Sequence, residues 1–264
     1  FLMGGFLGSG KTTAIQQACM ELLDNNINAA VITNDQGLQL VDSVFISSFD
    51  IPNREVINGC FCCNYNQLDQ HIQSLQEASR PEVIFAESVG SCTDMIATVV
   101  NPLLKFHPDI DIVVTVFADA CILLPLLQST SFSFEDEVNY IYQKQLEEAD
   151  VLVVNKVDLL DEEQRRETTR LVEARYPGKK ILYQDSRQRQ NIRQWLSVIN
   201  NFRADSARSS LDIDYAVYGA GEARLAWLDE EIGIRTIDNN AVATGILLIN
   251  MIYGKIKEQG FPIG

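Results

Sequence analysis

Basic residues are scarce in this chain of 264 residues. Lysine and arginine together number 21, against 36 aspartates and glutamates, and the formal net charge at pH 7 is −15. A protein that binds nucleic acid or an anionic membrane normally carries a basic stripe, whereas the densest basic stretch here, residues 185–194, is short and mixed. The composition therefore argues against nucleic acid and membrane as partners and leaves protein partners open.

Long apolar runs and cysteines are limited as well. The longest apolar stretch, residues 112–127, is interrupted by Asp119 and Pro125 and is short for a membrane span. Six cysteines are too few for a disulfide scaffold in a chain of this length, which predicts reduced thiols and a cytoplasmic protein. No signal peptide opens the sequence, and because both ends look cut we expect the natural chain to be longer.

Apolar runs alternate with helical patterns over the first 200 residues or so. Between the runs, amphipathic patterns predict helices after Lys11 and after Cys63, and again over residues 135–149, 161–176 and 190–201. The alternation predicts an α/β fold, a three-layer sandwich with a mostly parallel central sheet. Five runs read as strands that are buried on both faces, namely residues 29–33, 82–87, 111–118, 150–156 and 179–184.

The pattern changes near the polar stretch 201–212. We therefore predict a main domain over residues 1–204 and a small C-terminal α+β extension, or partial second domain, over residues 205–264. Within the extension, residues 222–228 alternate as a half-buried strand would, and residues 239–260 read as a capped helix that a glycine ends.

Residues 5–12 fit the pattern G-x-x-x-x-G-K-[ST]. Glycines let such a loop point its backbone N–H groups at phosphate oxygens, while Lys11 supplies charge for the β- and γ-phosphates and the Thr12 hydroxyl ligates Mg²⁺. The pattern follows an apolar strand and precedes an amphipathic helix, which favours a P-loop NTPase over a glycine-rich turn without a ligand. Lys11 is also a catalytic candidate. The predicted nucleotide-binding residues of this loop are Gly5, Gly8, Ser9, Gly10, Lys11, Thr12 and Thr13.

The stretch "NKVD" ends a later strand and indicates which base is bound. The Asp158 carboxylate can accept two hydrogen bonds from guanine, and adenine offers no matching pair of donors. Lys156 can lay its stem over the purine, and Asn155 can brace the neighbouring loop. The alternative is a plain strand-to-helix cap, with Asp158 as the N-cap residue. Residues 183–188, after the next strand, could add backbone contacts to the base, although the sequence signal for this is weaker.

A third polar motif, "ESVG", follows the buried strand that delivers Glu87 to its carboxyl end. Ligands bind at that edge of an open parallel sheet. Glu87, the second catalytic candidate, could hold Mg²⁺ through water or orient the attacking water, and Gly90 would let a backbone amide approach the γ-phosphate. The alternative is that Glu87 caps the next helix.

Three cysteines lie within four positions, in the stretch "NGCFCC" between the phosphate loop and Glu87. Cys60, Cys62 and Cys63 can converge on one transition-metal ion if the loop bends at Gly59. Three thiols without an obvious fourth leave an open coordination position, which suits transfer of the ion. A redox pair or buried small side chains are the alternatives.

Other side chains near these motifs are weaker candidates. Cys92 could approach the thiols as a further ligand, although a packed small residue is the simpler interpretation. Asp35 and Asp42 could supply oxygen ligands, and turn-forming roles account for both equally well.

The order of "GGFLGSGKTT", "NGCFCC", "ESVG" and "NKVD" resembles the CobW-like family of P-loop GTPases, which includes zinc metallochaperones and activators of metal-dependent enzymes. The resemblance covers roughly residues 1–200. It implies an Mg²⁺-dependent GTPase that binds GTP and GDP and whose Cys-x-Cys-Cys motif passes a transition metal to a client metalloprotein or cofactor-assembly protein. Zinc is the first expectation for the ion, with cobalt and nickel as alternatives. Asp35 departs from the family's Asn-Glu-Phe-Gly stretch, and residues 213–264 do not match its usual C-terminal domain.

Two functions of different classes follow from these motifs. The first is a GTP-hydrolysing metallochaperone or activator of a metalloenzyme. The second is a GTP-dependent regulatory or assembly module whose thiols sense redox state without metal transfer. A small-molecule kinase is disfavoured because "NKVD" indicates guanine and no acceptor site is visible. The absence of a histidine-rich tract argues against metal storage, and the sequence leaves a homodimer open.

Overall fold

The computed structural model of the chain describes residues 1–34, 51–57, 59–128, 134–203, 208–225 and 232–259. Within these residues the strands are β1 (Leu2–Gly5), β2 (Ala29–Asn34), β3 (Asn53–Val56), β4 (Val83–Glu87), β5 (Val114–Asp119), β6 (Val151–Asn155) and β7 (Lys180–Gln184). The helices there are α1 (Lys11–Asp24), α2 (Tyr65–Ala78), α3 (Asn101–Phe106), α4 (Ala120–Leu127), α5 (Asp136–Glu148), α6 (Glu162–Arg175), α7 (Arg189–Asn201), α8 (Tyr215–Arg224) and α9 (Ala241–Glu258). A π-helical turn, Ile96–Val100, precedes α3, and a 3-10 turn, Val157–Leu159, follows β6.

The seven described strands form one sheet in the order β3-β2-β4-β1-β5-β6-β7, and every pair is parallel. Helices cover both faces, so neighbouring residues of a strand enter different cores: Leu2 packs on one side of the sheet and Met3 on the other. Ile15 of α1 and Trp195 of α7 belong to the second core, and Tyr142 of α5 belongs to the first. The predicted three-layer α/β sandwich with a parallel sheet is confirmed.

One strand was not predicted from the sequence. In β3, residues Asn53, Arg54 and Glu55 are half-buried and only Val56 is buried, because β3 pairs with β2 alone at the edge of the sheet. A short, polar edge strand has neither the continuous apolar run of a central strand nor a clear alternation.

The apolar stretch 112–127 divides into a strand and a helix at Asp119. The Asp119 side chain caps α4 by accepting from the Cys121 backbone N–H at 2.8 Å, and Pro125 lies inside that helix. Such a cap satisfies one of the free N–H groups at the start of a helix. In the part of the chain that the structure describes, no helix combines the length and apolarity that crossing a bilayer requires.

The segment after α7 returns to the sandwich. Arg208 forms an ion pair with Asp150 at 2.8 Å, and α8 packs on α5. The two helices approach so closely that a Cβ at Gly221 would lie 2.5 Å from the Glu137 carbonyl oxygen. The prediction that 1–204 and 205–264 are separate domains stays a prediction.

The predicted strand over 222–228 is wrong for the residues that the structure describes, since Glu222 to Arg224 form the last turn of α8. Asp214 caps this helix by accepting from the Ala216 and Val217 N–H groups, which favours helix over strand at its start. Residues 226–228 lie outside the described part of the chain. The predicted helix over 239–260 is observed as α9, but no side chain caps its start, and Gly260 lies outside the described residues. Several apolar side chains are exposed on α9: Val242, Ile246, Ile249 and Tyr253.

Candidate functional site

The loop between β1 and α1 has the backbone that a phosphate-binding loop requires. Gly5, Gly8 and Gly10 have φ angles of 129°, 68° and 89°, in a region that L side chains rarely adopt. A Cβ at Gly5 would lie 2.2 Å from the Phe117 carbonyl oxygen, so no other residue fits there. The loop therefore turns tightly from β1 into the N-terminus of α1, where backbone N–H groups favour an anion.

The side chains of this loop lie around the same turn. The ammonium of Lys11, which begins α1, donates to the carbonyl oxygens of Gly5 at 2.8 Å and Phe6 at 3.2 Å. Ser9 is buried, and Thr12 and Thr13 lie half-buried in the first turn of α1. The structure thus brings the predicted phosphate-loop residues together at one end of the sheet.

Glu87 at the carboxyl end of β4 meets Thr12 across the site. The Thr12 hydroxyl donates to Glu87 Oε1 at 2.8 Å, and the glutamate is 3% exposed. A hydroxyl oxygen and a carboxylate oxygen are hard ligands of the kind that Mg²⁺ prefers, and here they are neighbours. The two side chains therefore fit the Mg²⁺ that a nucleotide site of this kind uses.

The loop after β4, residues 88–94, is called the bridging loop below. At Gly90 the backbone of this loop packs against the phosphate loop so closely that a Cβ on Gly90 would be 2.9 Å from the Leu7 nitrogen. Two residues further on, Cys92 is fully buried and its side chain lies close to the main chain of Cys62, which packs against the same core. Two residues of extended chain span at most about 7 Å. The phosphate loop and the thiol segment thus contact the same short piece of chain.

The predicted base-reading residues follow β6. Asn155 is buried, donates from Nδ2 to the Ser9 carbonyl at 2.8 Å, and accepts from the Ser186 hydroxyl at 2.8 Å and the Ser186 N–H at 3.0 Å. It therefore joins the phosphate loop to the loop after β7. Lys156 has a φ of 62° and pairs with Asp119 at 2.9 Å.

Two residues at this edge were missed by sequence reasoning. Arg187 pairs with the exposed carboxylate of Asp158 at 2.6 Å and with Asp185 at 3.0 Å. Ser186 lies within the weakly marked stretch 183–188, which had suggested backbone contacts to the base. Arg187 lies in the same stretch, but no role was predicted for its side chain, since an arginine in a polar loop is usually solvated.

The three cysteines of "NGCFCC" converge in a tight turn before α2. The backbone N–H groups of Cys63 and Asn64 both donate to the Cys60 carbonyl, at 3.0 and 2.9 Å. Gly59 has a φ of 140°, so the chain bends where the glycine was expected to permit it. Asn34 at the end of β2 donates from its side chain to the Gly59 carbonyl at 2.8 Å and fixes the turn to the sheet, a role that sequence reasoning missed.

The sulfur atoms of these cysteines all lie within 4.8 Å of one another. Cys63 Sγ is 3.4 Å from Cys60 Sγ and 4.0 Å from Cys62 Sγ, while Cys60 and Cys62 are joined as a disulfide. Thiolates around a tetrahedral Zn²⁺ at about 2.3 Å stand about 3.8 Å apart. The two longer separations already match that spacing, and a metal would require the Cys60–Cys62 pair in its reduced form.

Three positions were weaker candidates for further ligands to this cluster. Cys92 is packed in the core and is not part of the group of converging sulfurs. Burial raises the pKa of the Cys92 thiol, and nearby acidic groups add to the effect, which keeps this thiol protonated. Asp35 and Asp42 lie outside the described residues.

Glu148 of α5 is a buried carboxyl group at the far end of the bridging loop. Its Oε1 accepts from the Ile96 N–H at 2.6 Å. Burial raises the pKa of Glu148 from 4.5 to about 7, a rise that backbone hydrogen bonds oppose and the charge of Asp94 increases. The folded protein therefore binds this proton more tightly than the unfolded chain does.

This proton makes a testable contribution to stability. Because the folded pKa is raised, the contribution is fully present below about pH 4.5 and is lost as the pH rises through about 7. We expect the stability of Glu148→Gln relative to wild type to increase by about 2 kcal/mol between pH 5 and pH 8. Urea unfolding at a series of pH values measures it, and a difference that is constant with pH would contradict the prediction.

Similarity to known proteins identifies the family of this chain. A family model described as "CobW/HypB/UreG, nucleotide-binding domain" matches residues 1–183. The chain is 31% identical over 162 residues to the zinc chaperone YeiR of Escherichia coli (strain K12), a match that covers 60% of this chain and 46% of YeiR. It is 26% identical over 217 residues to the zinc-regulated GTPase metalloprotein activator 1 of Dictyostelium discoideum, covering 69% and 44%. The chain thus spans just under half the length of these two relatives.

Solved structures show the same fold. HypB from Helicobacter pylori, in a crystal structure with nickel, superimposes with a TM-score of 0.54 at 12% identity, over 78% of this chain and 90% of HypB. At that identity the likeness concerns the fold alone. The family model covers more than half of the chain, however, and the matched residues 1–183 include the loop between β1 and α1, the thiol turn and the predicted base-reading residues. The chain belongs to the CobW/HypB/UreG nucleotide-binding family of P-loop GTPases.

Proposed function

We propose that the protein is a GTP-hydrolysing metallochaperone that receives zinc at Cys60, Cys62 and Cys63 and delivers it to a client metalloprotein or cofactor-assembly protein. The observation that carries this proposal is the bridging loop, in which Gly90 contacts the phosphate loop and Cys92 contacts the thiol segment. Two sites that share so short a piece of chain can influence each other. The two relatives, a zinc chaperone and a zinc-regulated GTPase metalloprotein activator, support the same conclusion.

The nucleotide half of the function follows from the phosphate loop and the "NKVD" strand. Backbone N–H groups of residues 5–13 would hold the phosphates, and Lys11 would add a positive charge between them. Asp158 would accept from guanine in place of Arg187, whose guanidinium presents comparable N–H donors in this structure. Asn155 and Lys156 would position the loops around the base. These contacts select GTP and GDP over adenine nucleotides.

Hydrolysis at this site would use Mg²⁺ held by the Thr12 hydroxyl and the Glu87 carboxylate. The ion, when bound, neutralises charge on the phosphates. Glu87 is buried at the sheet edge and hydrogen-bonded to Thr12, so it has a fixed position from which to hold the ion through water or to orient the attacking water. Gly90 brings a backbone amide to the side where the γ-phosphate would lie.

The thiols would take zinc as cargo. Three sulfurs that converge without a fourth ligand among the described residues form an open site, from which an ion can pass to a client. Cobalt and nickel also bind thiolates, and supply in the cell contributes to the choice among these ions. The cytoplasm, which keeps thiols reduced, is the compartment that suits this chemistry.

The disulfide between Cys60 and Cys62 favours a second candidate function, a GTP-dependent module whose thiols sense redox state. A disulfide removes two of the three ligands, so metal binding and oxidation exclude each other at this site. The two functions therefore differ in what the purified, reduced protein holds.

One preparation distinguishes the two functions. Protein purified and reconstituted with zinc under reducing conditions should retain one zinc ion per chain by elemental analysis and should hydrolyse GTP, and not ATP, without a second substrate. Retention of no metal, together with a Cys60–Cys62 disulfide after mild oxidation, would instead support the redox module. Dependence of GTP turnover on a phosphate acceptor would contradict both functions.

A further inference from the structure

The bridging loop is held from α5 by one buried side chain. Gln145 Nε2 donates to the carbonyl oxygen of Gly90 at 2.8 Å and to that of Cys92 at 3.0 Å. Gln145 is 0% exposed, so water cannot readily replace these bonds. A single amide group thus ties the residue beside the phosphate loop to the residue beside the thiols.

Both ends of this connection are closely packed. At Gly90 the backbone approaches Leu7 so closely that a Cβ would lie 2.8 Å from Leu7 Cγ. At Cys92 the side chain is fully buried and lies close to the Cys62 main chain. Interiors packed at this density transmit a displacement instead of absorbing it. A shift of the loop at the phosphate end is therefore expected to reach the thiol segment.

The opposite side of the bridging loop is anchored to α8. The Ser91 hydroxyl donates to Glu222 Oε1 at 2.8 Å, the Tyr218 hydroxyl donates to the same oxygen at 2.8 Å, and the Tyr215 hydroxyl bonds to Asp94. With α5 on one side and α8 on the other, the loop is restrained to move as a unit. Of these contacts, only the Gln145 amide bonds to both Gly90 and Cys92.

We propose that Gln145 is a positioning residue that couples the nucleotide to the metal, because it makes Gly90 and Cys92 move together when GTP is exchanged for GDP. The proposal rests on the proposed function, since it requires a GTP site and a zinc site in the same chain. Gln145 acts on both through the bridging loop, by way of its two hydrogen bonds. Its removal should leave each site able to bind and should abolish the dependence of one on the other.

The experiment measures zinc affinity with a GTP analogue and with GDP, in the presence of Mg²⁺ and a reductant. In wild type we expect the two zinc dissociation constants to differ by about fivefold or more, the lower range for coupled sites. Gln145→Leu replaces the amide with an apolar side chain of similar size that has no donor. In this variant the ratio of the two zinc dissociation constants should fall to within about twofold of one. Cys92→Ala, which removes the contact with Cys62 from the other end, should lose the ratio in the same way.

Leu146→Ala is the matched control, because Leu146 is a buried neighbour on α5 and the variant loses packing without touching the two hydrogen bonds. It should keep the wild-type ratio even if its melting temperature falls. A wild-type ratio that persists in Gln145→Leu, or in Cys92→Ala should Gln145→Leu fail to fold, would overturn the role of Gln145 and leave the proposed function standing. A ratio of one in wild type would overturn both.

Discussion

Replacing Lys11 with methionine is expected to lower the rate of GTP hydrolysis at least about 100-fold, the usual effect of removing one charged group that stabilises developing charge. Lys11 begins α1, and its ammonium lies within hydrogen-bonding distance of the carbonyls of Gly5 and Phe6 at the mouth of the loop. From there it would reach phosphate oxygens and offset the charge that grows during phosphoryl transfer. Methionine has a side chain of similar length but lacks the ammonium group, with its charge and its hydrogen-bond donors.

Phosphate release in single-turnover experiments measures the effect. Lys105→Met is the matched control, because Lys105 is an exposed lysine in α3 and its loss should leave the rate within about twofold of wild type. A Lys11→Met protein that is folded by circular dichroism and hydrolyses GTP at more than a tenth of the wild-type rate would contradict the assignment of Lys11.

The second large effect is expected at the thiols. Replacing Cys60 and Cys63 together with serine should weaken zinc binding at least about 100-fold, because two of the three thiolate ligands are lost and the binding energy of thiolate-bound zinc is large. The backbone turn at Cys60 to Asn64 brings the three sulfurs within 4.8 Å of one another, so reduction of the Cys60–Cys62 pair leaves three thiols close together. Competition with a chromophoric zinc chelator in the presence of a reductant gives the two dissociation constants.

Cys121→Ser serves as the control for general effects of losing a thiol. Cys121 is a partly buried cysteine in the first turn of α4, outside the converging group. It should bind zinc as wild type does. If the double variant at Cys60 and Cys63 binds zinc within about threefold of wild type, the ion lies elsewhere and the thiol turn has another purpose.

Strands β2, β5 and β6 are buried throughout, and burial on both faces leaves a continuous apolar run that made them predictable. Strand β4 and the edge strand β7 also coincide with predicted runs, although both are only partly buried and not, as expected, buried on both faces. The edge strand β3 was missed since only Val56 of it is buried, and a four-residue segment with one buried side chain has no period to read. The strand expected over 222–228 failed for a related reason. Its first three residues, 222–224, close α8, which packs on α5 at Gly221, and a local alternation in the sequence does not contain that contact.

The candidate residues of the motifs could be proposed from the sequence because phosphate loops, base-reading strands and thiol clusters have fixed local spacings, and their roles stay predictions. The residues that connect them were not visible. Asn34, Gln145 and Glu222 are ordinary polar side chains in the sequence, and their partners lie 25, 55 and 131 positions away. Contacts of that kind depend on which elements the sheet order brings together, which no local pattern contains. Residues 35–50, where Asp35 and Asp42 fall, lie outside the described part of the chain.

The proposed function requires that nucleotide binding and metal binding affect each other through the bridging loop. Linkage requires that any effect of GTP on zinc affinity be matched by an equal effect of zinc on nucleotide affinity. The most direct measurement is therefore the ratio of the dissociation constants for GDP and a GTP analogue, determined with and without bound zinc in the same reduced protein. We expect zinc to change this ratio by about fivefold or more. The factor should equal the ratio of the zinc dissociation constants measured with the two nucleotides. A ratio that is identical with and without zinc would contradict the proposed function.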